Sequence, residues 1–124
     1  MTTSERSQRS FWRSLGWAVN GVKRTYRREP NFRRELLVAA LALGLALWLG
    51  APLAPILVMC AVVLGLELVN SALEAVVDLA SPEQHELAAT AKDAAAAAVL
   101  VAAAISVLVG LAVLGPPLWQ RLFG

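Results

Sequence analysis

The sequence predicts an all-α membrane protein: an N-terminal amphipathic surface helix followed by three transmembrane helices. Three observations predict it. The chain of 124 residues is 58% hydrophobic and only 16% charged, against about half and about a quarter in an average soluble domain. No charged residue occurs in the 31 positions from Leu36 to Leu66, nor in the 27 from Ala94 to Gln120. Each run exceeds the roughly 20 residues a helix needs to cross the hydrocarbon core. Nine of the eleven basic residues fall before residue 35. The length accommodates one domain, 1–124, and excludes a multidomain enzyme.

The basic residues set the orientation. Arg6, Arg9, Arg13, Lys23, Arg24, Arg27, Arg28, Arg33 and Arg34 keep the N-terminus cytoplasmic by the positive-inside rule. Three spans then place the connection around 79–92 inside and the C-terminus outside. The formal net charge of +2 arises from this segment, so it reports orientation and attraction to anionic head groups, with no nucleic-acid partner implied. A long basic region without an apolar h-region and cleavage site is not expected to be a cleavable signal peptide. Cys60 is the one cysteine, which excludes an intrachain disulfide.

Along the chain, residues 1–9 are polar and expected to fray. From about 10 to 28, Phe11, Trp12, Leu15, Val19, Val22 and Tyr26 recur at three- and four-residue spacing between basic residues, the pattern of a helix lying in the interface. Pro30 breaks it, and Asn31 is the predicted N-cap of the first span, about 32–49. Gly50-Ala51-Pro52 is a short outer turn. The second span starts near Leu53 and runs past the bilayer, about 53–79. Ser81-Pro82-Glu83 predicts the next helix start, with Ser81 as N-cap and Pro82 at the first helical position. The third span covers about 86–114, Gly115-Pro116-Pro117 ends it, and Trp119 anchors the outer interface. The alanines at 94–98 and 102–104 form a small-residue face that lets membrane helices approach closely, so oligomerisation is expected.

The chemistry lies in the charges that interrupt apolar helix. Glu67, Asn70, Glu74 and Asp78 fall within one arc of roughly 80° at about 100° per residue. Placing an acidic residue in mid-span costs about 2.5–3.5 kcal/mol on insertion scales, so such residues mark function by default. Glu67 lies about 21 Å along the span from its outer end, whereas Glu74 and Asp78 are near the cytoplasmic surface. The stripe therefore leads from the membrane interior to the segment carrying His85, Glu86, Lys92 and Asp93. A buried carboxylate suits a general base or proton carrier. Paired surface carboxylates suit Mg²⁺ held together with substrate phosphates, and Lys92 supplies a phosphate-binding point charge.

Each residue alone has a plainer account. Glu74 and Asp78 are explained as solvated span ends, Asn70 as an interhelical hydrogen bond, Glu67 as the partner of an arginine on a neighbouring helix. Glu29 and Glu35 are explained as interfacial ion pairs, and His85 as an ordinary loop residue. Their alignment favours a site. A proton or cation pathway with Glu67 as carrier is the competing class, but a conduit needs polar residues toward both sides, and Leu53 to Gly65 holds none.

Three strings carry a family resemblance: Glu29-Pro30-Asn31-Phe32-Arg33, then Glu67-Leu68-Val69-Asn70-Ser71-Ala72-Leu73-Glu74-Ala75-Val76-Val77-Asp78, then Ser81-Pro82-Glu83 through His85 to Ala91-Lys92-Asp93. Over about residues 11–110 the chain resembles the small prokaryotic diacylglycerol kinases, which include undecaprenol kinases. The resemblance implies an ATP-dependent lipid kinase of the bacterial cytoplasmic (inner) membrane, a homotrimer whose composite active sites lie between protomers at the cytoplasmic interface. It implies Glu67 as general base, with Glu29 and Glu74 placing Mg²⁺ on the nucleotide phosphates. It also implies ATP contacts from Trp17, Glu83, Gln84, His85, Lys92 and Asp93, and site ordering or lipid contact from Asn70, Glu35 and Asp78. No Gly-rich phosphate loop is present, so metal and side chains must hold the phosphates, as phosphoryl transfer permits.

The signals for the lipid divide. Glu35 and Glu86 resemble the diacylglycerol branch, whereas Asp78-Leu79, Ser81-Pro82-Glu83 and the run Ala94 to Ala98 resemble the undecaprenol branch. Ala96 stands where the diacylglycerol branch often has serine, and Asn20 where it often has lysine. Diacylglycerol is the expected substrate, with undecaprenol as the alternative.

Overall fold

The computed structural model describes all 124 residues and is all-helical: α1 (Thr3–Arg28), α2 (Pro30–Leu49), α3 (Leu53–Ala80) and α4 (Glu86–Phe123). The first helix starts well before residue 10, because Thr2 and Glu5 build a capping box. Thr2 Oγ1 accepts from the Glu5 N–H at 3.2 Å and Glu5 Oε2 accepts from the Thr2 N–H at 2.8 Å. Two otherwise orphaned donors are satisfied, and the polar segment that composition alone would leave frayed becomes helix.

A single residue separates α1 from α2. Glu29 (φ −109°, ψ 103°) is the C-cap of one helix and the N-cap of the other. Pro30 enforces this: it disfavours helical backbone at Glu29 and tolerates the first helical position, where its missing N–H has no partner to lose. Asn31 is therefore not the cap. It sits inside the first turn, where its Oδ1 accepts from Arg34 Nη1 at 3.1 Å.

The α2–α3 hairpin turns at Gly50, whose φ of 66° is the one left-handed backbone conformation in the chain. Its N–H donates to the carbonyls of Ala46 and Leu47, the helix-terminating geometry that glycine adopts without a Cβ clash. Near this end Ala46, Ile56 and Leu114 form the small core of the bundle.

The next junction differs from expectation. Ser81 closes α3, its N–H donating to Val77 O, and its hydroxyl donates to Glu83 O at 3.0 Å. A serine already spent on the preceding helix and the loop cannot cap the following one. His85 takes that role, its Nδ1 accepting from the Leu87 N–H at 3.0 Å. Nor does α4 stop at Gly115-Pro116-Pro117; it continues to Phe123. Trp119 packs on Phe123 with ring centroids 4.5 Å apart, and the Arg121 guanidinium lies 4.6 Å from the centre of the Trp48 ring. These contacts hold the last turns to the C-terminal end of α2 despite two missing backbone donors.

Only nine of the 124 residues are buried, and large aliphatics such as Leu37, Val58, Val101 and Leu108 face outward. Such surface suits lipid or another protein chain, not water. Two helices, α3 and α4, are long and apolar enough to cross a membrane. By that measure α2 falls short of the predicted first span. Arg33, Arg34 and Glu35 occupy its first two turns and leave 14 uncharged residues, Leu36 to Leu49, about 21 Å of helix against a core of roughly 30 Å.

Candidate active site

Glu67 is the one charged side chain that the fold buries, at 4% exposure. It lies midway along α3, and the carboxylates of Glu29, Glu35 and Glu74 all stand within electrostatic reach of it. Glu74 follows two turns later on the same face. Glu29 comes from the α1–α2 corner and Glu35 from the second turn of α2. Asn70 bridges part of the stripe, its Nδ2 donating to Glu74 Oε1 at 3.3 Å. Three buried polar atoms in this neighbourhood have no hydrogen-bond partner within the chain: Glu35 Oε2, Asn70 Oδ1 and Ser71 Oγ. Each costs about 1–3 kcal/mol if left unmade, and their concentration marks a polar centre that the fold maintains for a reason other than stability.

Below Glu35, between α2, α3 and α4, lies a cavity of about 350 Å³. Arg34 and Glu35 supply its charged end, and Val38, Ala42, Ile56 and Val63 are among its apolar walls. One polar end on an apolar body fits an amphiphilic molecule.

A second, polar pocket of about 560 Å³ opens at the α3–α4 loop, where Asp78, Glu83, Gln84, His85 and Lys92 meet. Lys92 of α4 forms an ion pair with Asp78 of α3. With side chains 41% and 66% exposed, that pair contributes at most about 1 kcal/mol to stability; its main consequence is the direction it gives the ammonium. Lys92 thus ties α4 to the Asp78 end of the acidic stripe. Asp93 is exposed and lines neither pocket.

Trp17 stands apart. It lies about 160° around α1 from Leu15, on the arginine side and off the apolar stripe. It is 69% exposed and lines a cleft with Arg6, Arg9, Ser10 and Arg13. Within one chain that cleft shares no residue with the loop pocket.

The donor set has the chemistry of a hard cation site that a substrate completes. No three His, Cys, Asp or Glu side chains converge to hold a metal by themselves. Glu29 and Glu74 offer carboxylate oxygens, and the Asn70 amide engages only one oxygen of Glu74. One or two carboxylates together with phosphate oxygens is the arrangement Mg²⁺ commonly takes, so these residues fit it. Two polar residues escape the sequence reading: the Ser71 hydroxyl, silent within an apolar helix, and Arg33, one basic residue among nine. The signal for Arg33 is its place one turn after the Glu29-Pro30 corner.

The model for the family described as prokaryotic diacylglycerol kinase matches residues 16–114. A diacylglycerol kinase of Haemophilus influenzae is 37% identical over 83 residues, 64% of this chain and 70% of its own. A diacylglycerol kinase of Synechocystis is 42% identical over 109 residues, 85% of this chain and 62% of its own. An undecaprenol kinase of Bacillus subtilis is 36% identical over 111 residues, 87% of this chain and 90% of its own. With the carboxylate stripe headed by the buried Glu67, the apolar helices and a match that covers most of the chain, this protein belongs to the prokaryotic diacylglycerol kinase family.

Proposed function

We propose that this membrane-bound lipid kinase transfers the γ-phosphoryl group of ATP to the hydroxyl of diacylglycerol, with Glu67 as general base. The observation that carries the reading is the burial of Glu67 within electrostatic reach of three further carboxylates, on a helix whose earlier residues, Ile56 to Leu64, line the apolar cavity and whose later residues, Val77 and Asp78, line the polar loop pocket. The chain 1–124 acts as one lipid-kinase domain, with α2, α3 and α4 as membrane helices, the N-terminus and active site cytoplasmic and the C-terminus outside, in the bacterial inner membrane. Snorkelling of Arg34 toward the head groups extends the reach of the short α2.

The lipid hydroxyl approaches Glu67 from the cavity, its head group held by Glu35. Glu67 accepts the hydroxyl proton as the lipid oxygen forms its bond to the γ-phosphorus and the bond to the departing ADP oxygen breaks. Lys92, aimed by Asp78, faces the phosphates, and Asn70 orders Glu74. Glu29 and Glu74 would hold Mg²⁺, which would supply neutralisation of the developing phosphate charge. Glu83, Gln84, His85 and Asp93 contact the rest of the nucleotide. Trp17 joins them from the α1 of a neighbouring protomer in a homotrimer, which accounts for its separation from the loop within one chain.

Undecaprenol is the second reading, favoured by the undecaprenol kinase relative matching 87% of this chain. The protein in bilayers with Mg-ATP labelled at the γ-phosphate and either lipid separates them. Label in diacylglycerol at the higher kcat/KM supports the first reading, preference for undecaprenol supports the second, and label in neither contradicts both.

A further inference from the structure

We propose that Arg33 is a positioning residue for Glu29: it clamps the α1–α2 corner and so holds the Glu29 carboxylate toward Glu67 and Glu74. The proposal rests on the reading of Glu29 as a metal-holding carboxylate. Glu29 is the only non-helical residue between two helices of 26 and 20 residues. Rotation about its φ and ψ would swing one helix against the other, and its own side chain with them. Pro30 restricts the backbone of Glu29 but donates nothing across the corner.

Arg33 supplies the missing link. From the first turn of α2, its Nη1 donates to the carbonyl oxygens of Tyr26 at 2.7 Å and Arg27 at 3.1 Å. Both belong to the last turn of α1, where helix geometry leaves carbonyls without partners and where a cation complements the helix dipole. The guanidinium also lies 5.9 Å from the centre of the Tyr26 ring, within cation–π range. On the other side of the corner the Glu29 N–H donates to Thr25 O at 2.8 Å, and Phe32, 2% exposed, is buried beside it. Side chain, ring and backbone thus close a loop from residue 25 to residue 33 with Glu29 at its bend. A planar fork suits this task better than an ammonium, because one guanidinium bonds two carbonyls while facing a ring.

The test compares Arg33→Ala, Arg33→Lys and Glu29→Gln with the parent protein in bilayers. The clamp predicts that Arg33→Ala raises the Mg²⁺ concentration for half-maximal rate at least tenfold and shifts KM for the lipid less than twofold. Arg33→Lys, keeping charge and a donor, recovers to within about threefold of the parent. Nitroxide labels at Lys23→Cys and Leu41→Cys, in a Cys60→Ala chain diluted with unlabelled protein, read the corner without activity. Arg33→Ala broadens their distance distribution and Glu29→Gln leaves it unchanged. An unaltered distribution and Mg²⁺ requirement in Arg33→Ala overturn the clamp. Equal losses in Mg²⁺ and lipid parameters, with no recovery in the lysine variant, also overturn it. An unaltered Mg²⁺ requirement in Glu29→Gln overturns instead the metal reading beneath it.

Discussion

Glu35 and Glu67 stand level with each other on antiparallel helices. Glu35 lies 14 positions before the last residue of α2, and Glu67 lies 14 positions after the first residue of α3. The two helices turn at Gly50, so both carboxylates lie about 21 Å along their helices from the hairpin end. They act on each other electrostatically, and Glu35 is also at the charged end of the apolar cavity. Two acidic groups level with each other on a helix pair are a repulsive arrangement that packing alone gives no reason to keep.

If Glu35 holds the lipid head group, Glu35→Gln should lower kcat/KM for the lipid about 10- to 100-fold, the worth of one hydrogen bond to a charged group. KM for ATP should stay within twofold. Steady-state titration of each substrate separately checks this, and an effect on ATP alone would remove Glu35 from the lipid end.

Asp78 directs Lys92 more than it stabilises the fold. Asp78→Asn should shift the unfolding midpoint little, consistent with at most about 1 kcal/mol for an exposed pair. KM for ATP should rise several-fold, and more so at low salt, where the pair is least screened. Calorimetry and ATP titrations at two ionic strengths measure both. A large loss of stability with unchanged ATP dependence would contradict this division.

His85 caps α4 through Nδ1. Replacing it with alanine should cost about 1 kcal/mol of local stability, and asparagine, a good cap, should restore most of it. Hydrogen exchange at the first-turn amides, Leu87 above all, reads the difference. Full restoration of ATP affinity by His85→Asn would assign the residue to the cap alone.

Much of this architecture is legible in the sequence because it rests on run lengths and periodicity. The amphipathic α1, the break at Pro30, the glycine turn and the acidic face of α3 all follow from one-dimensional spacing. Junctions are less legible. Asn31 and Ser81 are both good caps in isolation, but Pro30 places the boundary two residues earlier and Ser81 is already engaged by α3. The prolines at 116 and 117 do not end α4, and beyond them Arg121 meets Trp48 on another helix, a contact that spacing does not encode. Within the site, the stripe was readable but the corner clamp was not, since Arg33 differs from its basic neighbours only in what it meets.

The most direct measurement is transfer of labelled γ-phosphate to diacylglycerol by Glu67→Gln in bilayers, alongside ATP binding and thermal unfolding of the same variant. A positioned general base contributes about 10²- to 10⁴-fold. The variant should therefore lose at least a hundredfold in kcat with ATP affinity and unfolding midpoint near those of the parent. Turnover within threefold of the parent would contradict the assignment of the proton to Glu67.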